Sequence, residues 1–222
     1  MSGWEAGRNN LKEQYSIMGL TVDVCPSGDE AAKRLEYEVY LHEGYIEANG
    51  RGLVLENLDY PEYVHFVARE GGKTVGSLRL VTDPKPRHGI FRLNAFNHFS
   101  LRAWARDLMA GADPRSVVEV GTMVIHPEYR GGDAYMQLFS KSFEFALLKR
   151  FRYAVSTIDA AFYNRLRKRG VPFQEIGESR HYMGSETVPA LIDIDQLARL
   201  LLGRHTAAGA ASSSALKPAM AS

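Results

Sequence analysis

Short apolar runs alternate with polar stretches along the chain and predict a series of strands and helices. Strands are predicted over residues 20–24, 63–70, 73–82, 116–125 and 153–158, with Gly71-Gly72 as the turn of a hairpin. Helices are predicted from residue 27 to about 45, near 100–110, over 133–150 and over 159–170, and residues 188–202 combine a strand or turn with a helix. This order predicts a mixed α/β fold with one central sheet flanked by helices.

Two of the predicted helices begin at capping signals. Ser27 followed three residues later by Glu30 is a capping-box pattern, which predicts that the first helix starts there. Asp159 is a residue type that caps helix starts, and Gly170 suits the end of the same short helix.

The strand at 116–125 is apolar on both faces, which is typical of a central strand covered on both sides. Its one carboxylate is Glu119, which period-two alternation places on a face with Val117, Gly121 and Met123. Burial of an unpaired carboxylate costs several kcal/mol unless its pKa rises or a partner satisfies it. Two interpretations remain open: Glu119 pairs with a structural arginine, or it is a general base that works near neutral pH.

The segment after this strand combines a strand end, a glycine turn and a helix start. Pro127 ends the strand, and Arg130-Gly131-Gly132 leads into the helix. Glycines expose backbone N–H groups, and a helix amino terminus adds free donors and partial positive charge, so the turn could cradle a phosphate. An ordinary strand-to-helix turn explains the same pattern equally well.

Composition limits the domain organisation and the partners. The 222 residues fit one domain, with an arm over 1–18, a folded domain over 19–203 and a disordered Ala- and Ser-rich tail over 204–222. A net charge of +1 disfavours nucleic-acid binding, and no apolar run is long enough for an integral membrane segment or a signal peptide. The single cysteine, Cys25, fits a reducing, cytoplasmic location, and the histidine spacing predicts no metal site.

The pattern Val124-x-x-Pro127-x-Tyr129-Arg130-Gly131 resembles the signature of the GNAT superfamily of N-acetyltransferase-like enzymes. The resemblance implies a single GNAT-like domain that binds a phosphopantetheine thioester as a substrate, with no permanently bound cofactor. It further implies that backbone amides near Val124 and Ile125 face the acyl thioester. The phosphate-binding residues that it implies are Arg130, Gly131, Gly132 and Ala134. Asp133 departs from the family pattern. It brings negative charge to the position expected for the pyrophosphate of coenzyme A, which favours a donor with a single phosphodiester.

A narrower resemblance is to the acyl-homoserine lactone synthases and the long-chain N-acyl amino acid synthases. It is carried by residues 35–40, Asp59, residues 75–80 and Glu119. It implies that Arg79 and Glu119 are the invariant arginine and the catalytic carboxylate of those enzymes. The lactone synthases carry arginines where this chain has Glu36 and Thr122, which argues against lactone synthesis.

The implied function is N-acyl transfer. A long-chain fatty acyl group would move from acyl carrier protein to the α-amine of an amino acid, with tyrosine as the first candidate acceptor. A coenzyme A-dependent N-acetyltransferase and a non-catalytic acyl-carrier-binding adaptor are the alternatives, and the presence of Glu119 disfavours the adaptor.

The remaining candidate residues are basic. Arg79 is either a surface arginine at a sheet edge or a partner of Glu119 or of a substrate carboxylate. Two groups of cations stand at predicted helix ends, where they are either solvated or a dock for an acidic carrier protein. One group contains Arg165, Arg167, Lys168 and Arg169, and the other contains Lys149, Arg150 and Arg152.

Overall fold

A computed structural model describes residues 19–26, 28–54, 63–82 and 93–201. The predicted arm (1–18) and tail (204–222) lie outside the described residues. The long strands are β1 (Leu20–Cys25), β2 (Tyr63–Glu70), β3 (Lys73–Val81), β4 (Val117–Ile125), β5 (Tyr153–Asp159) and β8 (Ser185–Asp193). The short strands β6 (Gln174–Glu175) and β7 (Arg180–Tyr182) were not predicted, because runs of two and three residues are too short to show a period.

Among the described residues, eight strands form one sheet in the order β1-β2-β3-β4-β5-β8-β6, and β7 also pairs with β8. β4 and β5 run parallel, and the other described pairs are antiparallel. β4 therefore lies in the interior of the sheet, as its two apolar faces predict. This open sheet with helices on both faces confirms the predicted mixed α/β, GNAT-like fold.

The helices are α1 (Glu30–His42), α2 (Asn94–Asn97), α3 (Ala103–Ala110), α4 (Ala134–Leu148), α5 (Ala160–Lys168) and α6 (194–201). α4 covers one face, where Leu138 packs in a core with Leu78 and Val118. α5 lies on the same face, because Tyr163 packs against Val188 and Ala190 of β8. α1, α2 and α3 cover the opposite face. No described helix combines the length and the apolarity that crossing a bilayer requires.

The helix starts agree only in part with the capping signals. Asp159 caps α5, since its Oδ1 accepts a hydrogen bond of 2.9 Å from the Phe162 N–H. α1 is capped by Asp29 instead of Ser27: Asp29 Oδ1 accepts from the Ala32 N–H at 2.8 Å. Ser27 itself lies outside the described residues. Asp29 and Ser27 are both good capping types, and the turn that precedes α1 decides between them.

Candidate active site

β4 and β5 separate halfway along their length. Only residues Val117–Val120 of β4 pair with β5, and their partners are Tyr153–Ser156. In contrast, β4 stays paired with β3 as far as Ile125. The His126 N–H donates to the Val75 carbonyl at 2.9 Å, so strand alternation turns the Val124 N–H towards β3 and the Ile125 N–H towards the opening. The Ile125 N–H therefore faces the opening and is used by no described strand, whereas the expectation that the Val124 amide also faces it is wrong, because that N–H points to β3.

A β-bulge at Gly121 changes which side chains share a face of β4. Arg79 pairs with Thr122, but Leu80 pairs with Val120, so Gly121 is the extra residue on β4. The expectation that Glu119 shares a face with Met123 is therefore wrong. Thr122 and Val124 lie on the Glu119 face, and Met123 packs in the core on the opposite side. A side chain at Gly121 would place its Cβ 3.2 Å from Arg79 Nε and Nη2, so glycine gives the guanidinium its room.

Glu119 is fully buried, at 0% exposure. Its Oε2 accepts a hydrogen bond of 3.1 Å from the Asn94 N–H, and its Oε1 has no hydrogen-bond partner among the described residues. Burial raises the pKa of Glu119 to about 7, although the Asn94 hydrogen bond and the Arg79 charge act in the opposite direction. Such a carboxyl group can take up or release a proton near neutral pH, which is the property that a general base needs.

Arg79 belongs to a buried polar network, so the expectation of a surface arginine at a sheet edge is wrong. It is 2% exposed on the interior strand β3. Its Nη2 donates to Thr122 Oγ1 at 3.0 Å, and Thr122 Oγ1 donates to Glu36 Oε1 at 2.9 Å. Glu36 Oε1 also lies 4.0 Å from the guanidinium. Glu36 and Thr122, the two positions where the resemblance places arginines in the lactone synthases, therefore contact each other and hold Arg79.

Beside this network lies a cavity of about 140 Å³, called here the arginine cavity. Its described lining is Lys33, Glu36, Leu53, Val54, Tyr63, His65 and Arg79. Sequence reasoning missed His65. The alternation of residues 63–70 places it on the same face as Tyr63, but only the pairing of His65 with Arg79 shows that this face carries the site.

The predicted phosphate loop forms a second cavity, of about 310 Å³. Gly131 has a φ of 86°, a conformation that suits glycine, and Ala134 is the first residue of α4. Arg130 pairs with Glu43 at 2.7 Å. Three carboxylates, those of Glu70, Glu128 and Asp133, also line this cavity, which makes its rim acidic for a phosphate site.

The two basic groups lie at different distances from this loop. Arg169 donates to the hydroxyl of Tyr135, the second residue of α4, so the carboxyl end of α5 lies beside the loop. Arg165, Arg167 and Lys168 are exposed on the same end of α5. Lys149 and Arg150 follow the far end of α4, and Arg152 pairs with Asp193 at 2.9 Å.

The structure brings the side chains of Glu119, Arg79 and Val124 onto one face of the sheet. It places the predicted phosphate loop at the end of β4, the strand that carries Glu119 and Val124. It also places the basic end of α5 beside that loop. Among the described residues, no group of three or more His, Cys, Asp or Glu side chains forms a metal-binding cluster.

Comparison with known proteins identifies the family to which the sequence of this chain is matched. The family model for the N-acyl amino acid synthase FeeM matches residues 31–192. A comparison with curated protein sequences finds no match.

Three solved structures, of two acyl-homoserine lactone synthases and one N-acyl amino acid synthase, share the fold. BjaI, a CoA-dependent acyl-homoserine lactone synthase solved with SAM and isopentyl-CoA, is 21% identical with a TM-score of 0.63, over 84% of this chain and 89% of its own. The AHL synthase LasI is 13% identical with a TM-score of 0.58, over 79% and 90%. FeeM from uncultured soil microbes is 15% identical with a TM-score of 0.57, over 79% and 92%.

Proposed function

Because this chain belongs to the N-acyl amino acid synthase FeeM family, we propose that it transfers a long-chain fatty acyl group from acyl carrier protein to the α-amine of an amino acid. The chain is an acyltransferase by its family. The donor, the acceptor and the roles of single residues belong to the proposal. The observation that carries it is the buried carboxyl group of Glu119, which has a pKa of about 7 and lies on the strand that lines the opening.

The proposed reaction needs a base and an oxyanion site. An amino acid arrives as an ammonium ion, which cannot attack until it loses a proton. Glu119 takes that proton through a chain of waters, since its carboxylate is fully buried and lies six residues before Ile125, roughly 20 Å along the strand. The free amine attacks the thioester carbon, and the Ile125 N–H in the opening donates to the developing oxyanion. The attacking nitrogen then loses its second proton to water, and the C–S bond breaks to complete the amide. The pantetheine thiolate leaves and takes up a proton from water, while Glu119 returns its proton to solvent.

The donor loop supports a carrier protein over coenzyme A. The pantetheine arm of a carrier protein has one phosphodiester, whereas coenzyme A carries a pyrophosphate and a further phosphate. Glu70, Glu128 and Asp133 surround the loop, and the arginine that lines it, Arg130, is already paired with Glu43. Each additional phosphate charge would be repelled by these carboxylates, so a single phosphodiester is the better fit.

A competition experiment tests the proposal. The purified protein is supplied with lauroyl and palmitoyl thioesters of acyl carrier protein or of coenzyme A, together with the proteinogenic amino acids, and the products are identified by mass spectrometry. We expect N-acyl amino acids to form from the carrier thioesters, and to form far more slowly with Glu119→Gln. Acetylated amines made from acetyl-coenzyme A would identify the rival N-acetyltransferase, and thioester binding without any product would identify an adaptor.

A further inference from the structure

The arginine cavity contains a hydrogen-bond donor whose direction is fixed by the fold. The Asp29 N–H donates to His65 Nδ1 at 3.0 Å, so Nδ1 is the acceptor of the ring. In a neutral imidazole the other nitrogen then carries the proton, which makes Nε2 a donor. His65 is 1% exposed, and its Nε2 has no hydrogen-bond partner among the described residues. A buried donor without a partner costs stability, and because His65 lines the arginine cavity, a ligand bound there that accepts from Nε2 would remove this cost.

The ring stays neutral under ordinary conditions. Burial and the charges of Arg79 and Lys33 together lower the pKa of His65 to about 4, against the opposing effect of Asp29. His65 is therefore a fixed donor that neither charges nor changes tautomer between mildly acidic and alkaline pH.

The charged side chains around His65 include two cations and one carboxylate, which together favour a ligand that carries both a negative and a positive charge. Arg79 is paired with His65 across β2 and β3, so the two side chains lie side by side on one face. Lys33 also lines the cavity, and it pairs with the exposed Glu30 at 2.6 Å. Glu36 is the one carboxylate in the described lining, and it is held by Thr122. A ligand with a carboxylate towards His65 and Arg79 therefore meets complementary charge.

We propose that the arginine cavity binds the carboxylate of the acceptor amino acid between His65 Nε2–H and the Arg79 guanidinium. This inference rests on the proposed function and names the acceptor class as free α-amino acids. A volume of about 140 Å³ is similar to cavities of roughly 150 Å³ that admit a benzene ring, so the cavity has room for the head group. Glu119 pairs with Val81, two residues from Arg79 on the same face of β3, so an amine next to a carboxylate at Arg79 lies on the side of the sheet that carries the base.

The test separates carboxylate recognition from acyl transfer. Acyl transfer from lauroyl–acyl carrier protein is measured with two acceptor mixtures: L-tyrosine, L-leucine, L-serine and glycine, and the carboxamides of the same four. The amides keep the amine and the side chain but lack the negative charge. We expect wild type to prefer the acids in kcat/KM by roughly tenfold or more, which is the value of a hydrogen bond to a charged group.

Two substitutions then locate the preference. In His65→Asn the side chain can still accept from the Asp29 N–H but has no donor at the Nε2 position, whereas His65→Gln can place an N–H near that position. We expect His65→Asn to lose most of the preference through a raised KM for the acids, with a much smaller change in kcat/KM for the amides, since a hydrogen bond to a neutral oxygen is worth less than one to a carboxylate. His65→Gln should keep more of it. Thermal melting of each variant monitors folding.

Each outcome decides the question. Equal use of acids and amides by wild type overturns the carboxylate site even if neither variant folds, and it leaves acyl transfer intact. If both variants keep the full preference for the amino acids over their carboxamides, His65 does not bind the carboxylate. If no acyl group is transferred to any amino acid or carboxamide, the proposed function is wrong, and so is the carboxylate site that rests on it.

Discussion

Arg169, the residue that directly follows α5, donates a hydrogen bond to the hydroxyl of Tyr135 in the first turn of α4, and its guanidinium carbon lies 5.3 Å from the centroid of that ring. This contact joins the basic end of one helix to the start of another. Tyr135 directly follows Ala134 in the proposed donor loop. The exposed cations of α5 therefore stand where the acidic surface of a carrier protein would arrive with its pantetheine arm.

Reversal of two of these charges should weaken the carrier interaction. We expect Arg167→Glu combined with Lys168→Glu to raise KM for acyl–acyl carrier protein and to leave kcat at saturation near wild type, because rim charges act mainly on association. Lys168→Glu should also be measured by itself, since Arg167 lies 3.7 Å from Glu175 and its reversal adds a local repulsion.

Two controls accompany the charge reversal. A short pantetheine thioester without the protein should react equally with wild type and variant. Lys149→Glu combined with Arg150→Glu makes the same charge change at the far end of α4. If only that pair raises KM, the dock lies there and the α5 assignment is wrong.

Replacement of the buried carboxyl group should remove most turnover. Glu119→Gln keeps an oxygen that can accept from the Asn94 N–H but has no basic site. We expect kcat to fall by about 10²–10⁴-fold, the usual contribution of a general base, with the fold retained by circular dichroism and thermal melting. A wild-type rate in this variant would refute the base assignment, and loss of folding would support a structural role.

The raised pKa of Glu119 predicts how both rate and stability depend on pH. Activity needs the carboxylate, so kcat/KM should rise as pH increases through about 7, and Glu119→Gln should lack this limb. For stability, the unfolded chain ionises Glu119 near the ordinary glutamate pKa of 4.5, whereas the folded chain holds the proton up to about 7. The folded state binds more protons in that window, so this group lowers stability as pH rises from 4.5 to 7. The melting temperature of Glu119→Gln relative to wild type should therefore increase over the same window, and a constant difference would contradict the shift.

Removal of one acidic group from the donor loop should widen donor use. Asp133 precedes α4 but makes no side-chain capping bond, so Asp133→Ala should cost little stability. We expect wild type to prefer acyl carrier protein to acyl-coenzyme A with matched chains, and Asp133→Ala to raise kcat/KM for the coenzyme A thioester selectively. Glu144→Ala, about 15 Å further along the same helix, is the matched control. Equal or better use of acyl-coenzyme A by wild type would refute the donor assignment.

A methyl group at the bulge should disturb the polar network. In Gly121→Ala the new Cβ would lie 3.2 Å from Arg79 Nε and Nη2, so the guanidinium must shift. We expect a clear fall in kcat/KM with only a small change in melting temperature, because Gly121 does not have a positive φ. Gly50→Ala is the control, since no atom lies within 4 Å of its added Cβ. If both variants keep full activity, the position of Arg79 is unimportant for the reaction.

Local sequence determined the elements on which the site is built. The largely apolar run from Val117 to Ile125 predicts a strand covered on both faces, and the single carboxylate within it marks Glu119 by its residue type alone. The proline, the glycines and the helix that follow are also readable from the chain, because each acts through its own backbone preferences and its near neighbours.

Tertiary structure decided which side chains meet. The bulge at Gly121, which brings Thr122 and not Met123 to the Glu119 face, depends on the register with β3, and register is a property of two strands. Glu36 and Thr122 are 86 residues apart in the chain, and their contact follows from the packing of α1 against the sheet. His65 gives no signal in the sequence as a ligand-binding residue. Its proposed role follows from the backbone N–H of Asp29, 36 residues away, which fixes Nδ1 as an acceptor and leaves Nε2 as a buried donor without a partner among the described residues.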